Sequence, residues 1–137
     1  MPEHIITRLA DMSLTMEGRL IEVRYREGVE LDVAGLMEVQ LRRDELTGER
    51  CAMLGVFQPG TLGDLRVMEV DYFGRTNANS QLVALAIVTQ DELGTSMSEI
   101  YYNYNPQTFP TRLFREEGEA LDWIRERLEE EGLLAKR

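Results

Sequence analysis

Cysteine and histidine are almost missing from this chain of 137 residues, which has one of each, Cys51 and His4. A lone cysteine excludes an intrachain disulfide and fits a reducing compartment. A lone histidine excludes a metal site with several histidines within one chain, and leaves a histidine-based triad nothing but a residue in the N-terminal stretch. Cys51 opens an apolar run with no histidine near it in sequence, the pattern of a buried, inert thiol. Positive charge is also scarce, with 15 basic against 25 acidic residues and a net charge of −10. Nucleic acid needs a basic stripe to neutralise phosphates, and the nearest approach to one, Arg42-Arg43, lies between Glu38 and Asp44-Glu45. An acidic membrane surface is disfavoured for the same reason. Long apolar runs are missing too. The longest, Leu82 to Val88, is far too short to span a bilayer, and Met1 to Ala10 carries Glu3, His4 and Arg8 where a signal peptide would be apolar. Neither membrane insertion nor nucleic-acid binding is expected, and the cytoplasm is the expected location.

Motifs for cofactors are absent as well. Gly55, Gly60 and Gly63 bring glycine close to a possible anion site, but no Gly-x-x-x-x-Gly-Lys-Ser/Thr or Gly-x-Gly-x-x-Gly pattern accompanies them, and turn chemistry explains them equally well. The acidic groups Asp44-Glu45, Asp91-Glu92 and Glu129 to Glu131 read as solvated helix faces and ends rather than metal ligands. No cofactor, metal or catalytic residue is assigned, and an enzyme is not expected, because no nucleophile and base can be assembled.

What is present is a regular alternation of strand and helix signals over residues 1–137, read as one domain. Met12 to Met16 and Leu20 to Tyr25 flank Gly18 as a β-hairpin; in the second run Ile21, Val23 and Tyr25 alternate with Glu22, Arg24 and Arg26. Ile5 and Ile6, within residues 1–11, add an extra strand or an arm. Asp32 is suited to cap a helix that runs to about Leu46, with Val33, Leu36, Met37 and Leu41 on one face and Gly48 as its stop. Cys51 to Phe57 and Leu82 to Thr89 are almost unbroken apolar runs, the mark of strands buried on both faces and parallel to each other. In Asp64 to Phe73, Leu65, Met68 and Tyr72 suit a helix while Val67 to Tyr72 could alternate as a strand; helix is preferred because parallel neighbours need a crossover. Thr89-Gln-Asp-Glu92 fits a capping box, and Leu93, Met97, Ile100, Tyr101 and Tyr104 then form one apolar stripe that Asn105-Pro106 ends. Phe109 to Phe114 is a short strand. A final helix over Glu116 to Glu131 buries Ala120, Leu121, Ile124 and Leu128 beside Trp123, and its Glu129 to Glu131 end should fray against the helix dipole. The order is β-β-α-β-α-β-α-β-α, an α/β fold with a mixed sheet flanked by helices.

That order, the two buried strands and the closing run Pro110-Thr-Arg-Leu-Phe-Arg-Glu-Glu-Gly-Glu-Ala-Leu-Asp-Trp-Ile resemble the SpoIIAA-like group of the STAS superfamily. In that group a proline-led strand ending in phenylalanine commonly precedes an acidic turn and an Ala-Leu-x-Trp helix. The resemblance implies a four- to five-stranded sheet with about four helices, and partner binding rather than catalysis. Anti-sigma-factor antagonists of the superfamily carry a phosphorylatable Ser or Thr in an Asp-Ser-Ser/Thr-Gly type motif; the matching stretch here, Gln58-Pro-Gly-Thr-Leu-Gly-Asp64, lacks it, and Thr61 is its nearest hydroxyl. The leading expectation is a non-enzymatic interaction or regulatory module that meets an unknown protein partner and self-associates as a dimer. Its candidate contacts are the loop Gln58, Gly60, Thr61, Gly63 and Asp64 and the cluster Tyr102, Asn103 and Asn105, since tyrosine flanked by amides suits a partner surface. The alternative expectation is a small-molecule or lipid carrier with an apolar pocket between helix and sheet, which methionines would help to line.

Overall fold

A computed structural model describes residues 3–63, 65–73 and 81–136. Six strands form one mixed sheet in the order β1 (His4–Ile6), β2 (Ala10–Thr15), β3 (Leu20–Tyr25), β5 (Cys51–Phe57), β7 (Leu82–Thr89) and β8 (Thr111–Phe114). β1, β2 and β3 pair antiparallel, and β3, β5, β7 and β8 run parallel. Two very short strands, β4 (Glu30–Leu31) and β6 (Leu62–Gly63), pair with each other beside this sheet. The helices are α1 (Val33–Leu46), α2 (Glu92–Tyr104) and α3 (Glu117–Glu130). Among the described residues there are thus more strands and fewer helices than the four or five strands and four helices expected, with the mixed α/β layering as expected.

Topology decides which face each helix covers. The three parallel connections all step the same way along the sheet, and such crossovers are almost always right-handed, so their segments lie on one face. Val39 and Leu46 of α1, Phe73 of the second crossover and Tyr102 of α2 accordingly pack with Val23, Tyr25, Met53, Leu85 and Ile87. Among the described helices α3 alone, after the last strand, folds back onto the other face, where Ala120, Ile124 and Leu128 meet Leu20, Ala52, Leu54, Val56, Ala84, Ala86 and Val88. β5 and β7 are buried on both sides, which is why their sequences are apolar without alternation.

The hairpin turn uses three consecutive left-handed residues, Met16, Glu17 and Gly18 (φ 50°, 59° and 83°). β1 forms the extra strand in the register His4 to Ser13, and His4 Nδ1 lies 3.0 Å from Ser13 Oγ. On β3, Glu22 and Arg24 face the α3 side, where Arg24 pairs with Glu117 and draws its carboxyl below the usual carboxylate range.

Several expectations are corrected. In α1 the buried residues are Gly35, Val39, Gln40, Arg43 and Leu46, while Leu41 is 61% exposed. The apolar count missed this face because two polar side chains line it together: Arg43, 1% exposed, donates to Gln40 Oε1 at 2.6 Å. Burial pushes the Arg43 pKa down. The expected helix over Asp64 to Phe73 is a single 3₁₀ turn, Leu65–Glu69, and Asp64 lies outside the described residues. Tyr72 helps to stop it, because its hydroxyl takes the Val67 carbonyl at 3.0 Å, an acceptor that a continuing α-helix would use. α2 is capped by Asp91 rather than Thr89: Gly94 N–H donates to Asp91 Oδ1 at 2.9 Å. Thr89 is still in β7, paired with Phe57, and its hydroxyl meets Thr95 Oγ1 at 2.7 Å. Leu93 and Ile100 of the expected stripe are 51% and 50% exposed. The side chain of Tyr104 lies outside the described residues. β8 is shorter than expected, since Phe109 turns into the core instead of pairing. α1 ends on Thr47 rather than at Gly48. The end of α3 is closed rather than frayed: Gly132, at φ 73°, donates to Glu129 O while Leu133 donates to Leu128 O, the two bonds of a Schellman motif, and Leu134 is buried beyond it.

Candidate functional site

The α1/α2 face is not filled. A cavity of about 130 Å³ lies over Val23 and Tyr25 of β3, Met53, Gly55 and Phe57 of β5, and Leu85 and Ile87 of β7. Leu36 and Gln40 of α1, Met68 and Tyr72 of the second crossover, and Met97, Ser98, Tyr101 and Tyr102 of α2 complete its walls. Gly55 deepens the floor, because a side chain there would stand between the sheet and the helices; even a Cβ would come within 3.2 Å of Ile87 Cδ1. Four of the five tyrosines and three of the seven methionines line the space. They come from four separate segments, which is why no local periodicity in the sequence announces them.

The rings support one another. Tyr25 stacks on Phe57 at 4.4 Å between centroids, Tyr101 meets Tyr102 edge-on at 4.9 Å, and Tyr72 lies 5.9 Å from Tyr101. Hydrogen bonds fix two hydroxyls: Tyr72 donates to Val67 O, and Tyr101 donates to Val70 O at 2.7 Å while accepting from Tyr72 N–H at 3.2 Å. Burial raises the pKa of Tyr101 to about 12 and raises those of Tyr25, Tyr72 and Tyr102 as well, so all four rings stay neutral. Among the buried residues of the wall, two polar groups differ. The Tyr25 hydroxyl and the Gln40 amide N–H₂ make no hydrogen bond among the described residues, although these residues are only 5% and 6% exposed. Arg43 holds the other end of the Gln40 carboxamide, so the group left over is a donor.

The expected loop is at the mouth of this space. Gln58, Thr61 and Gly63 line it, and Thr61 Oγ1 donates to Gln58 O at 2.6 Å, closing the loop on itself. Gly60 N–H donates to Asp91 Oδ2 at 2.7 Å, which ties the loop to the first turn of α2. This bond, then that from Gly94, holds the Asp91 carboxyl below the usual carboxylate range. Asp91 is the only charged residue on the cavity wall among those described. Sequence reasoning saw Asp91 as part of an acidic pair and missed its double duty, which its own helix-start position could have suggested.

The expected cluster separates. Tyr102 is half-buried between the cavity and a shallow outer groove lined by Glu99, Asn103, Gln107, Phe109, Thr111 and Leu113, so it is not the exposed anchor expected. Asn103 is exposed in that groove, and Asn105 caps α2, its side chain donating to Tyr101 O at 3.2 Å. Cys51 is buried off the cavity wall, and burial lifts its thiol to about 11. Among the described residues no cluster of acidic, histidine or cysteine side chains is arranged to hold a metal, and no helix is long and apolar enough to cross a membrane.

Residues 14–128 match the family described as Domain of unknown function (DUF7793). The chain belongs to this family. The DUF7793 match covers β3 to β8, most of α3 and the residues that line the cavity. No curated protein matches the chain. Among solved structures, the chain is similar to an uncharacterized protein of the DUF3478 family with a SpoIIAA-like fold from Shewanella loihica PV-4. The identity is 16%, the match covers 90% of this chain and 97% of that one, and the TM-score is 0.57. At that identity the likeness speaks for the fold, and this DUF7793 chain has the SpoIIAA-like architecture.

Proposed function

We propose that this domain binds a small molecule in the cavity under α1 and α2 and acts without chemistry of its own. The observation that carries this reading is an apolar space bordered by the Tyr25 hydroxyl and the Gln40 amide, groups of two buried residues that make no hydrogen bond among the described residues. Neither group is sealed inside the protein, so an acceptor or a water entering this space is what would complete them. The volume, about 130 Å³, is near the roughly 150 Å³ of engineered cavities that take up benzene and below the roughly 300 Å³ of drug-sized sites, which favours a small ligand over a lipid chain. The reading is non-catalytic because Asp91, the one charged wall residue among those described, has both carboxylate oxygens engaged by backbone N–H groups.

Native mass spectrometry of gently purified protein tests this reading. A small-molecule adduct on the wild type that disappears in Ser98→Leu, which fills the cavity from α2, is the expected outcome; an adduct retained in that variant would place the ligand elsewhere.

Docking to a protein partner is the second reading, favoured by Leu93 and Ile100, two turns apart and both half-exposed on the helix that walls the cavity. Self-association through this face would be seen as a dimer in the same spectrum, and Leu93→Lys with Ile100→Lys should remove it.

A further inference from the structure

The wall of the cavity also specifies the chemistry of what it takes. We infer that its ligand is an uncharged single-ring compound bearing an oxygen acceptor, a ketone, ether or alcohol; this rests on the binding reading above. Three observations converge. Among the described residues no lysine, arginine or histidine lines the cavity, so a carboxylate or phosphate would lose its water without gaining a counter-charge. Both oxygens of Asp91 are already bonded to Gly60 and Gly94, so an ammonium would have to break those bonds to be paired. On the buried residues of the wall the groups left over, on Tyr25 and Gln40, can both donate, the part-buried hydroxyls of Tyr102 and Ser98 add two more, and a neutral oxygen with two lone pairs can accept from such donors. The surrounding ring faces and the methionine thioethers suit a flat apolar body.

Calorimetric titration with three probes of similar size separates the alternatives: acetophenone, neutral with a carbonyl acceptor; ethylbenzene, which lacks it; and benzoate, an anion. Wild-type protein is expected to bind acetophenone at least about tenfold more tightly than benzoate. Tyr25→Phe, which removes only the hydroxyl, is expected to weaken acetophenone about threefold to tenfold and leave ethylbenzene unchanged, a split that a merely structural role for Tyr25 would not produce. Benzoate binding as tightly as acetophenone, or equal losses for both neutral probes in Tyr25→Phe, overturns the ligand class while leaving the cavity a binding site. Should Tyr25→Phe fail to fold, the ratio of acetophenone to benzoate on the wild type still decides. No binding by any of the three overturns the cavity reading and this inference together.

Discussion

The two faces of one sheet are packed in opposite ways. Under α3, alanines at 52, 84, 86 and 120 interlock with Leu54, Ile124 and Leu128, so helix and sheet approach closely. Under α1 and α2 the same strands present Tyr25, Met53 and Phe57, and the helices answer with Gln40, Tyr101 and Tyr102. Rings and flexible thioethers from several segments do not close on each other as small and branched residues do, and polar groups among them need partners. The first face is closely filled; the second keeps room and unmet hydrogen-bonding capacity. Gln40 and Arg43 of α1 are buried, whereas α3 has no polar residue among the buried ones described.

Substitutions on matched positions sharpen that contrast. The largest effect is expected from Leu54→Ala on the closed face, a loss of about 3 kcal/mol in urea unfolding, whereas Met97→Ala on the open face should cost no more than about 1 kcal/mol because it is half-buried and already borders empty space. Small-to-large changes reverse the geometry. Ala86→Leu should cost about 1–3 kcal/mol by overpacking under α3, and Ser98→Leu should stay within about 0.5 kcal/mol because its added carbons have a cavity to enter. Equal penalties for the two would erase the distinction between the faces.

The smallest effects are electrostatic, one at each face. The carboxyls of Glu117, beside Arg24, and of Asp91, beneath Gly60 and Gly94, both titrate below their usual range. Carboxylates held that way stabilise the fold fully above the unfolded pKa near 4, and that contribution is lost as pH falls through the lower folded value. Thermal melts from pH 7 to pH 2 should therefore show a smaller acid-side fall in Tm for Glu117→Gln and for Asp91→Asn than for the wild type. Glu117 is partly solvated, so solvent screening keeps the Arg24 pair below about 1 kcal/mol at pH 7. Asp91→Asn should also raise protease cleavage in the loop of Gln58 to Gly63, with no such change in Glu117→Gln.

The closed face was legible in the sequence because its physics is local: Ala120, Ile124 and Leu128 repeat at helical spacing, and β5 and β7 are apolar throughout. The open face was legible only in outline. The crossover and its position were readable from the two parallel strands, but not that Tyr72 would cut its helix short. In α1, an apolar count put Leu41 inside and left Arg43 outside, since no pattern rule anticipates an arginine buried against a glutamine one turn away. The capping-box reading at Thr89 failed because the strand claimed that residue, leaving Asp91 to cap. A pocket between helix and sheet was an expectation from the fold; its wall was not, because Tyr25, Tyr72 and Tyr101 meet only after the crossovers are folded.

Methionine-methyl NMR during titration with ethylbenzene tests the contrast most directly, because it needs no assumption about the natural ligand. The expected result is saturable shifts at Met53, Met68 and Met97, which line the cavity, with none at Met16, which packs on the α3 side. Shifts spread equally over all four, or absent from all of them, would contradict the claim that the α1/α2 face is a binding site.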